Sequence, residues 1–209
     1  MANRTFSENA KAAAVKQALK LLHQPPEECL PKLIDWATRF DTSGVLQSQI
    51  NGVKAVLDDP NWKKFIQSLW DDIDEGVRMK IFENFIVNSA LIGMARQEKV
   101  KTEHGCSVPW AILMDPTSAC NLHCTGCWAA EYGNKLNLTY EEMDNIVNQA
   151  NEMGTYMFLF TGGEPMVRKK DIIRLCENHN DCVFSAFTNG TLIDEDFAQE
   201  MLRAKNFVP

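Results

Sequence analysis

The sequence predicts an α/β fold in which an amino-terminal helical region precedes three strand–helix units. In the first hundred residues, apolar positions recur at helical spacing and no strand pattern interrupts them. From Pro109 onward, short apolar runs alternate with amphipathic helical segments. That alternation is typical of parallel βαβ units with right-handed crossovers. We therefore divide the chain into a helical region, residues 1–105, and an α/β region, residues 106–209.

The limits of several helices in the first region are set by individual residues. Pro25 and Pro26 end one helix and start the next, and Asp59 offers an N-cap with Pro60 in the first turn. A longer helix is predicted from about residue 77 to residue 98. The first helix carries an apolar stripe formed by Ala14, Val15, Ala18, Leu19 and Leu22. These stripes predict a small helical bundle that covers one end of the sheet, binds substrate or docks a partner.

Three short apolar runs, residues 110–115, 156–160 and 182–187, predict buried strands because each is too short to be a helix. Thr139 and Glu142 form a capping box that starts the helix after the first strand. Parallel strands end at one edge of their sheet. The loops that follow the three runs are therefore expected to lie close together.

Composition and charge argue against two classes of partner. The 209 residues carry a formal net charge of -7, and no run or stripe of basic residues suits nucleic acid. The longest apolar stretch, around residues 85–95, is about half of the ~20 residues that cross a membrane. The amino terminus lacks the apolar core of a signal peptide. We therefore predict a cytoplasmic protein with reduced thiols and no membrane span.

Three of the seven cysteines crowd into the loop after the first predicted strand. Cys120, Cys124 and Cys127 have the spacing C-x-x-x-C-x-x-C. Thiolates suit soft metals and iron–sulfur clusters, and both structural zinc and a fully protein-ligated four-iron cluster need four ligands. Three ligands therefore favour a cluster with one uncovered iron. The alternative is a zinc site completed by His123 or by a distant cysteine.

The loops after the second and third predicted strands are also unusual. Gly162 and Gly163 remove side chains where a backbone must approach a ligand closely, although Gly-Gly-Glu-Pro alone would be only a turn. Thr188-Asn189-Gly190 follows the third strand and also suits an ordinary turn. The position of Gly-Gly-Glu-Pro after such a cysteine loop favours a functional role for it.

The cysteine spacing after the first strand, joined to Gly-Gly-Glu-Pro after the second, resembles the radical SAM superfamily over residues 107–209. The resemblance implies a partial (β/α) barrel whose first three βα units are present here. It also implies a 4Fe-4S cluster on Cys120, Cys124 and Cys127, with S-adenosylmethionine (SAM) chelating the fourth iron. The implied reaction is reductive cleavage of SAM to a 5′-deoxyadenosyl radical, which abstracts hydrogen from an unknown substrate. A one-electron donor such as flavodoxin or ferredoxin would supply the electron.

The same resemblance assigns residues to the cofactor, with no catalytic residue beyond the cluster ligands. The implied contacts to SAM are Gly162, Gly163, Glu164, Pro165 and Asn189. Family members commonly have an aromatic residue directly before the third cysteine, where this chain has Gly126. The aromatic residue here is Trp128, one place after the motif, so Trp128 is either an adenine contact or a packing residue.

A second function class is a non-catalytic iron–sulfur or zinc-binding module that uses the helical region as a docking surface. Gly-Gly-Glu-Pro argues against it, because a structural metal site needs no such loop. Radical SAM barrels usually have six βα units, and Phe207-Val208-Pro209 resembles the start of a fourth strand. We therefore expect the sequence to be a fragment of a longer protein. Cys176 and Cys182 are interpreted as packing residues.

Overall fold

The computed structural model describes residues 5–40, 47–133 and 135–209. The helices that precede the sheet are α1 (Phe6–Leu19), α2 (Pro26–Phe40), α3 (Gln47–Asp58), α4 (Pro60–Asp71), α5 (Glu75–Glu83) and α6 (Met94–His104). Helix α2 begins at Pro26, and Asp59 caps α4 by accepting hydrogen bonds from the N–H groups of Asn61 and Trp62. These starts confirm the limits predicted from the proline and aspartate positions.

A π-helical segment, Asn84–Gly93, joins α5 to α6. The helix predicted over residues 77–98 is therefore longer than expected, running from Glu75 to His104 with a change of hydrogen bonding in its middle. Gly105 ends it in the left-handed conformation, with a φ of 66°. Within the described residues, no helix combines the length and the apolar character needed to cross a membrane.

The second half of the described chain forms one parallel sheet of four strands in the order β1-β2-β3-β4. Its elements are β1 (Ile112–Thr117), α7 (Tyr140–Met153), β2 (Met157–Gly162), α8 (Lys169–Asn178), β3 (Val183–Ala186), α9 (Glu195–Ala204) and β4 (Phe207–Val208). The order confirms the predicted α/β class, and Phe207-Val208 is a fourth strand. The first strand lies two residues further along than predicted and includes Pro116. This position suits an edge strand, because proline cannot donate a ladder hydrogen bond.

The helices α7, α8 and α9 cover one face of the sheet and bury its aromatic core. Phe158, Phe184 and Phe207 are register partners across three strands and point to this side. The ring of Phe184 stacks on Phe158 and on Phe160, with centroids 5.5 and 5.7 Å apart. Stacked and buried rings of this kind fix the register of the sheet, because a one-residue slip would turn them to the other face.

The opposite face of the sheet carries the alternate side chains. Leu113, Leu159, Ser185 and Val208 are register partners along one row of this face. Leu113 is 62% exposed, and Phe187, just beyond β3, is 66% exposed. These exposures show that the described residues leave large apolar side chains on this face of the sheet uncovered.

The helical region packs against the amino-terminal ends of the strands. The buried amide of Asn84 donates to the carbonyl oxygens of Asn180 (3.0 Å) and Cys182 (2.7 Å), directly before β3. Asn88, one turn later, donates to the carbonyl oxygen of Asp181 at 2.8 Å. The helices therefore cover the end of the sheet opposite the strand-end loops.

Two further contacts hold this junction. Gly93 and Gly154 approach so closely that a Cβ on either would lie closer than 3.0 Å to the other's carbonyl oxygen. Arg96 donates to the carboxylate of Glu8 (3.1 Å) in α1 and to the hydroxyl of Tyr156 (3.2 Å) at the start of β2. The hydrogen bond from Arg96 lowers the pKa of Glu8 to about 2. The junction therefore combines a close backbone contact between two glycines with a charged pair beside it.

We predict that Gly93→Ala lowers the free energy of unfolding by about 2–3 kcal/mol, because the added methyl group collides with backbone at the junction. Urea denaturation measures this difference. Gly52→Ala is the matched control, since a Cβ there would meet no described heavy atom within 4 Å. It should stabilise helix α3 by about 0.5–1 kcal/mol. Equal stabilities of the two variants would contradict the proposed packing.

Candidate functional site

The cysteine loop follows β1 at the carboxyl-terminal edge of the sheet. Cys120, Cys124 and Cys127 line one cavity of about 150 Å³, together with His123. Cys124 is exposed, and the other two are partly exposed. Among residues 5–40, 47–133 and 135–209, no three His, Cys, Asp or Glu side chains are gathered closely enough to hold a metal ion. The structure thus places the three thiols around a common space without bringing them to ligation distance.

The residues present suit a thiolate-bound metal group in type and surroundings. The N–H of Leu122 points at the sulfur of Cys120, with the nitrogen and sulfur 3.4 Å apart. Hydrogen bonds of this kind stabilise the negative charge of a ligating sulfur. The N–H of Cys127 donates to the carbonyl oxygen of Cys124 at 3.2 Å, which closes a turn between the last two cysteines. The donor set fits an iron–sulfur group.

The glycine pair after β2 packs directly against the cysteine loop. A Cβ on Gly163 would lie closer than 3.0 Å to the carbonyl oxygens of Ser118 and Ala119. Gly162 has a φ of 105°, and its missing Cβ leaves room for the carbonyl oxygen of Thr117. The N–H of Gly163 donates to that same oxygen at 3.0 Å. Loop-to-loop packing is therefore a second reason for both glycines, in addition to the ligand approach predicted from the sequence.

Glu164 is almost fully buried and joins the loops after β2 and β3. Its carboxylate accepts hydrogen bonds from the hydroxyl of Thr188 (2.6 Å), the N–H of Asn189 (2.8 Å) and the N–H of Met166 (2.9 Å). Pro165, also buried, starts the short 3₁₀ turn Pro165–Arg168. The bonds of Glu164 all run to these loops, so its geometry suits fixing the loops rather than reaching a ligand.

Asn189 lies at the exposed end of the third strand-end loop. Its side-chain nitrogen donates to the side-chain oxygen of Asn121 at 3.0 Å. Its side-chain oxygen accepts from the N–H (3.0 Å) and the hydroxyl (2.6 Å) of Thr191. The structure therefore brings Asn189 beside the cysteine loop, since Asn121 is the residue that follows Cys120.

Trp128 lines a second cavity, of about 460 Å³, together with Gly162 and Gly163. The indole is 61% exposed and meets the ring of Tyr132 edge-on, with the centroids 5.9 Å apart. Ser118 and Ala129 line this cavity as well as the cavity of the cysteines, so the two spaces adjoin. An exposed indole facing a cavity favours a contact with a ligand over the packing role.

Three polar residues of this edge were not identified from the sequence. Asp115 lines the second cavity beside Gly162. Asn121 and Thr191 bond to Asn189. An aspartate inside an apolar strand pattern was a usable signal for Asp115. Asn121 had no such signal, because its partners lie about seventy positions away.

The cysteines outside the loop lie in other environments. Cys176 and Cys182 are fully buried in the core on the helix side, and burial raises the pKa of both thiols. Cys29 is buried within the helical region, whereas Cys106 is exposed. Buried thiols with a raised pKa resist deprotonation and ligation. This agrees with the interpretation of Cys176 and Cys182 as packing residues.

Part of this chain is similar in sequence to known proteins. Residues 114–209 match the model of the radical SAM superfamily. An Fe-coproporphyrin III synthase from Methanosarcina barkeri is 33% identical over 96 residues, 43% of this chain and 23% of that protein. A GTP 3',8-cyclase from Clostridium botulinum is 31% identical over 109 residues, 49% of this chain and 34% of that protein. A PqqA peptide cyclase from Granulibacter bethesdensis is 31% identical over 100 residues, 46% of this chain and 26% of that protein.

The chain thus spans between 23% and 34% of the length of these three relatives. No solved structure matches it. The matched segment runs from β1 to β4 and contains the cysteine loop and both loops that pack beside it. The resemblance inferred from the cysteine and glycine motifs is thereby confirmed. Residues 114–209, slightly less than half of this chain, are thus similar in sequence to the radical SAM superfamily.

Proposed function

We propose that this chain provides the cluster-binding part of an enzyme that cleaves SAM reductively and uses the product radical to abstract hydrogen from a substrate. The observation that carries the proposal is the shared cavity of Cys120, Cys124 and Cys127, which adjoins the cavity at Gly162 and Gly163. When bound on three thiolates, a 4Fe-4S cluster supplies one electron and an open iron for SAM.

In this proposal the thiolates of the cysteine loop hold the cluster, and the N–H of Leu122 stabilises the sulfur of Cys120. The backbone of Gly162 and Gly163 receives the amino group of SAM in the neighbouring cavity. The buried carboxylate of Glu164 keeps that backbone and the loop after β3 in place.

Trp128 is proposed as the adenine contact. Its exposed indole lines the same cavity as the glycine pair, so an aromatic residue is present despite Gly126 before the third cysteine. Base–aromatic stacking is worth about 1–3 kcal/mol. One side of the nucleoside would therefore rest on Trp128, while the methionine end of SAM lies toward the cysteines.

We propose that residues 1–105 cover the sheet at the amino-terminal ends of its strands. Residues 106–209 form the cofactor-binding unit. The contacts of Asn84 and Asn88 to carbonyls before β3 support this division. A helical region at that end does not obstruct the cysteine loop, so an electron donor has access to the exposed side of the cluster.

After anaerobic reconstitution with iron and sulfide, the chain should bind about four irons. We predict that Cys120→Ala, Cys124→Ala and Cys127→Ala each lose most of this iron and form no 5′-deoxyadenosine with dithionite and SAM. Cys106→Ala is the matched control, because this cysteine is exposed but lies outside the motif. Iron analysis and chromatography of the nucleoside measure both results.

Two outcomes would contradict the proposal. Zinc in place of iron would favour the non-catalytic module. A full four-iron cluster that never cleaves SAM, in this chain and in any longer form of the protein, would exclude the reaction while leaving the cluster.

We predict that Trp128→Ala weakens SAM binding about tenfold at unchanged iron content, because it removes the stacking surface. The change that SAM causes in the electron paramagnetic resonance spectrum of the reduced cluster, titrated against SAM, measures the affinity. Trp110→Ala is the matched control, since Trp110 is 62% exposed and precedes β1 at the far end of the sheet. Equal affinities in parent and Trp128→Ala would exclude the adenine contact.

A further inference from the structure

Three side chains form a closed ring of hydrogen bonds between the cysteine loop and the loop after β3. Asn121 donates to the hydroxyl of Thr191 at 2.8 Å, and that hydroxyl donates to the side-chain oxygen of Asn189 at 2.6 Å. Asn189 closes the ring by donating to the side-chain oxygen of Asn121 at 3.0 Å. Each hydrogen bond of the ring has one donor and one acceptor, and the hydroxyl of Thr191 both donates and accepts.

The ring is anchored to the interior of the protein through Glu164. The backbone N–H of Asn189 donates to the buried carboxylate at 2.8 Å, and the N–H of Thr191 donates to the side chain of Asn189 at 3.0 Å. The loop after β3 is therefore fixed to buried Glu164 independently of its contacts with Asn121. The ring thus connects a buried and fixed residue to the residue that directly follows Cys120.

The two halves of the cysteine loop are held differently. The part before Cys120 is fixed by backbone, because the N–H groups of Gly163 and Glu164 donate to the carbonyl oxygens of Thr117 (3.0 Å) and Ala119 (2.8 Å). The part after Cys120 contains the exposed residues Leu122, His123, Cys124, Thr125 and Gly126. Asn121 is the residue through which this exposed part is tied to another strand-end loop.

We propose that Asn121, Asn189 and Thr191 are positioning residues that pre-order the cysteine loop for cluster binding, an inference that rests on the proposed function. Ordering a free loop around a metal group opposes binding by the conformational entropy that the loop loses. A loop already held beside Cys120 loses less, so it binds the cluster more tightly and releases iron more slowly. Residues that orient metal ligands typically change metal affinity about 10- to 100-fold when removed.

The ring should affect the loop far more than the whole fold. All three residues are exposed, and exposed hydrogen bonds exchange readily with water. Their loss should change the urea midpoint little, whereas iron retention should change strongly. An ordinary turn at Thr188-Asn189-Gly190 would show no such difference, because a turn has no effect on Cys120.

Thr191→Val tests the ring, because it removes the hydroxyl and keeps a β-branched side chain, and Thr191→Ser is the matched control that keeps the hydroxyl. Each chain is reconstituted anaerobically, and transfer of iron to a chelator is followed by absorbance. We expect Thr191→Val to release iron about 10- to 100-fold faster than the parent. Thr191→Ser should stay within about twofold of the parent, since it retains both hydrogen bonds.

Asn121→Ala provides a second variant. It should release iron at least as fast as Thr191→Val, because it removes both ring bonds of Asn121, whereas Thr191→Val leaves the bond from Asn189 to Asn121 in place. The double variant should be no faster than Asn121→Ala. Iron release at the parent's rate in Thr191→Val, or equally fast release in Thr191→Ser, would overturn the inference alone. A parent that takes up no iron would overturn the proposed function, and this inference with it.

Discussion

The buried carboxylate of Glu164 is the interaction on which the arrangement of the strand-end loops depends. Three donors surround it, two of them from the loop after β3. A buried carboxylate left without donors destabilises a protein by several kcal/mol, so these two loops must stay together for the fold to form. The glycine pair before Glu164 then packs on the backbone of the cysteine loop. Glu164 thus joins two of the loops, and the glycine pair beside it holds them against the third.

The two ends of the sheet have separate tasks. At the amino-terminal ends, Asn84, Asn88 and Arg96 satisfy strand and loop groups from the helical side. At the carboxyl-terminal ends, the loops bond mainly to one another and leave the cysteines accessible. In parallel α/β folds, one end of the sheet usually contributes to stability and the carboxyl-terminal end carries the functional site. The sheet is thus closely packed at its junction with the helices, whereas the strand-end loops are held largely by polar contacts.

Local sequence signals predicted the order of elements and the positions of several caps, because capping boxes and proline starts act within four residues. They could not predict the π-helical segment Asn84–Gly93, since its shifted hydrogen bonds leave the apolar pattern unchanged. Pro116 belongs to β1 because that strand is at an edge, which only the sheet order reveals. The site motifs were visible in sequence, whereas the link from Asn121 to Thr191 required the folded chain.

We propose that the open iron of a cluster on the cysteine loop receives the methionine end of SAM beside Gly162 and Gly163. Electron–nuclear double resonance on the reduced chain, with SAM labelled with ¹⁵N at its amino group, tests it most directly. We expect a ¹⁵N hyperfine coupling to the cluster in the parent protein. A cluster with about four irons that shows no such coupling at saturating SAM would contradict it.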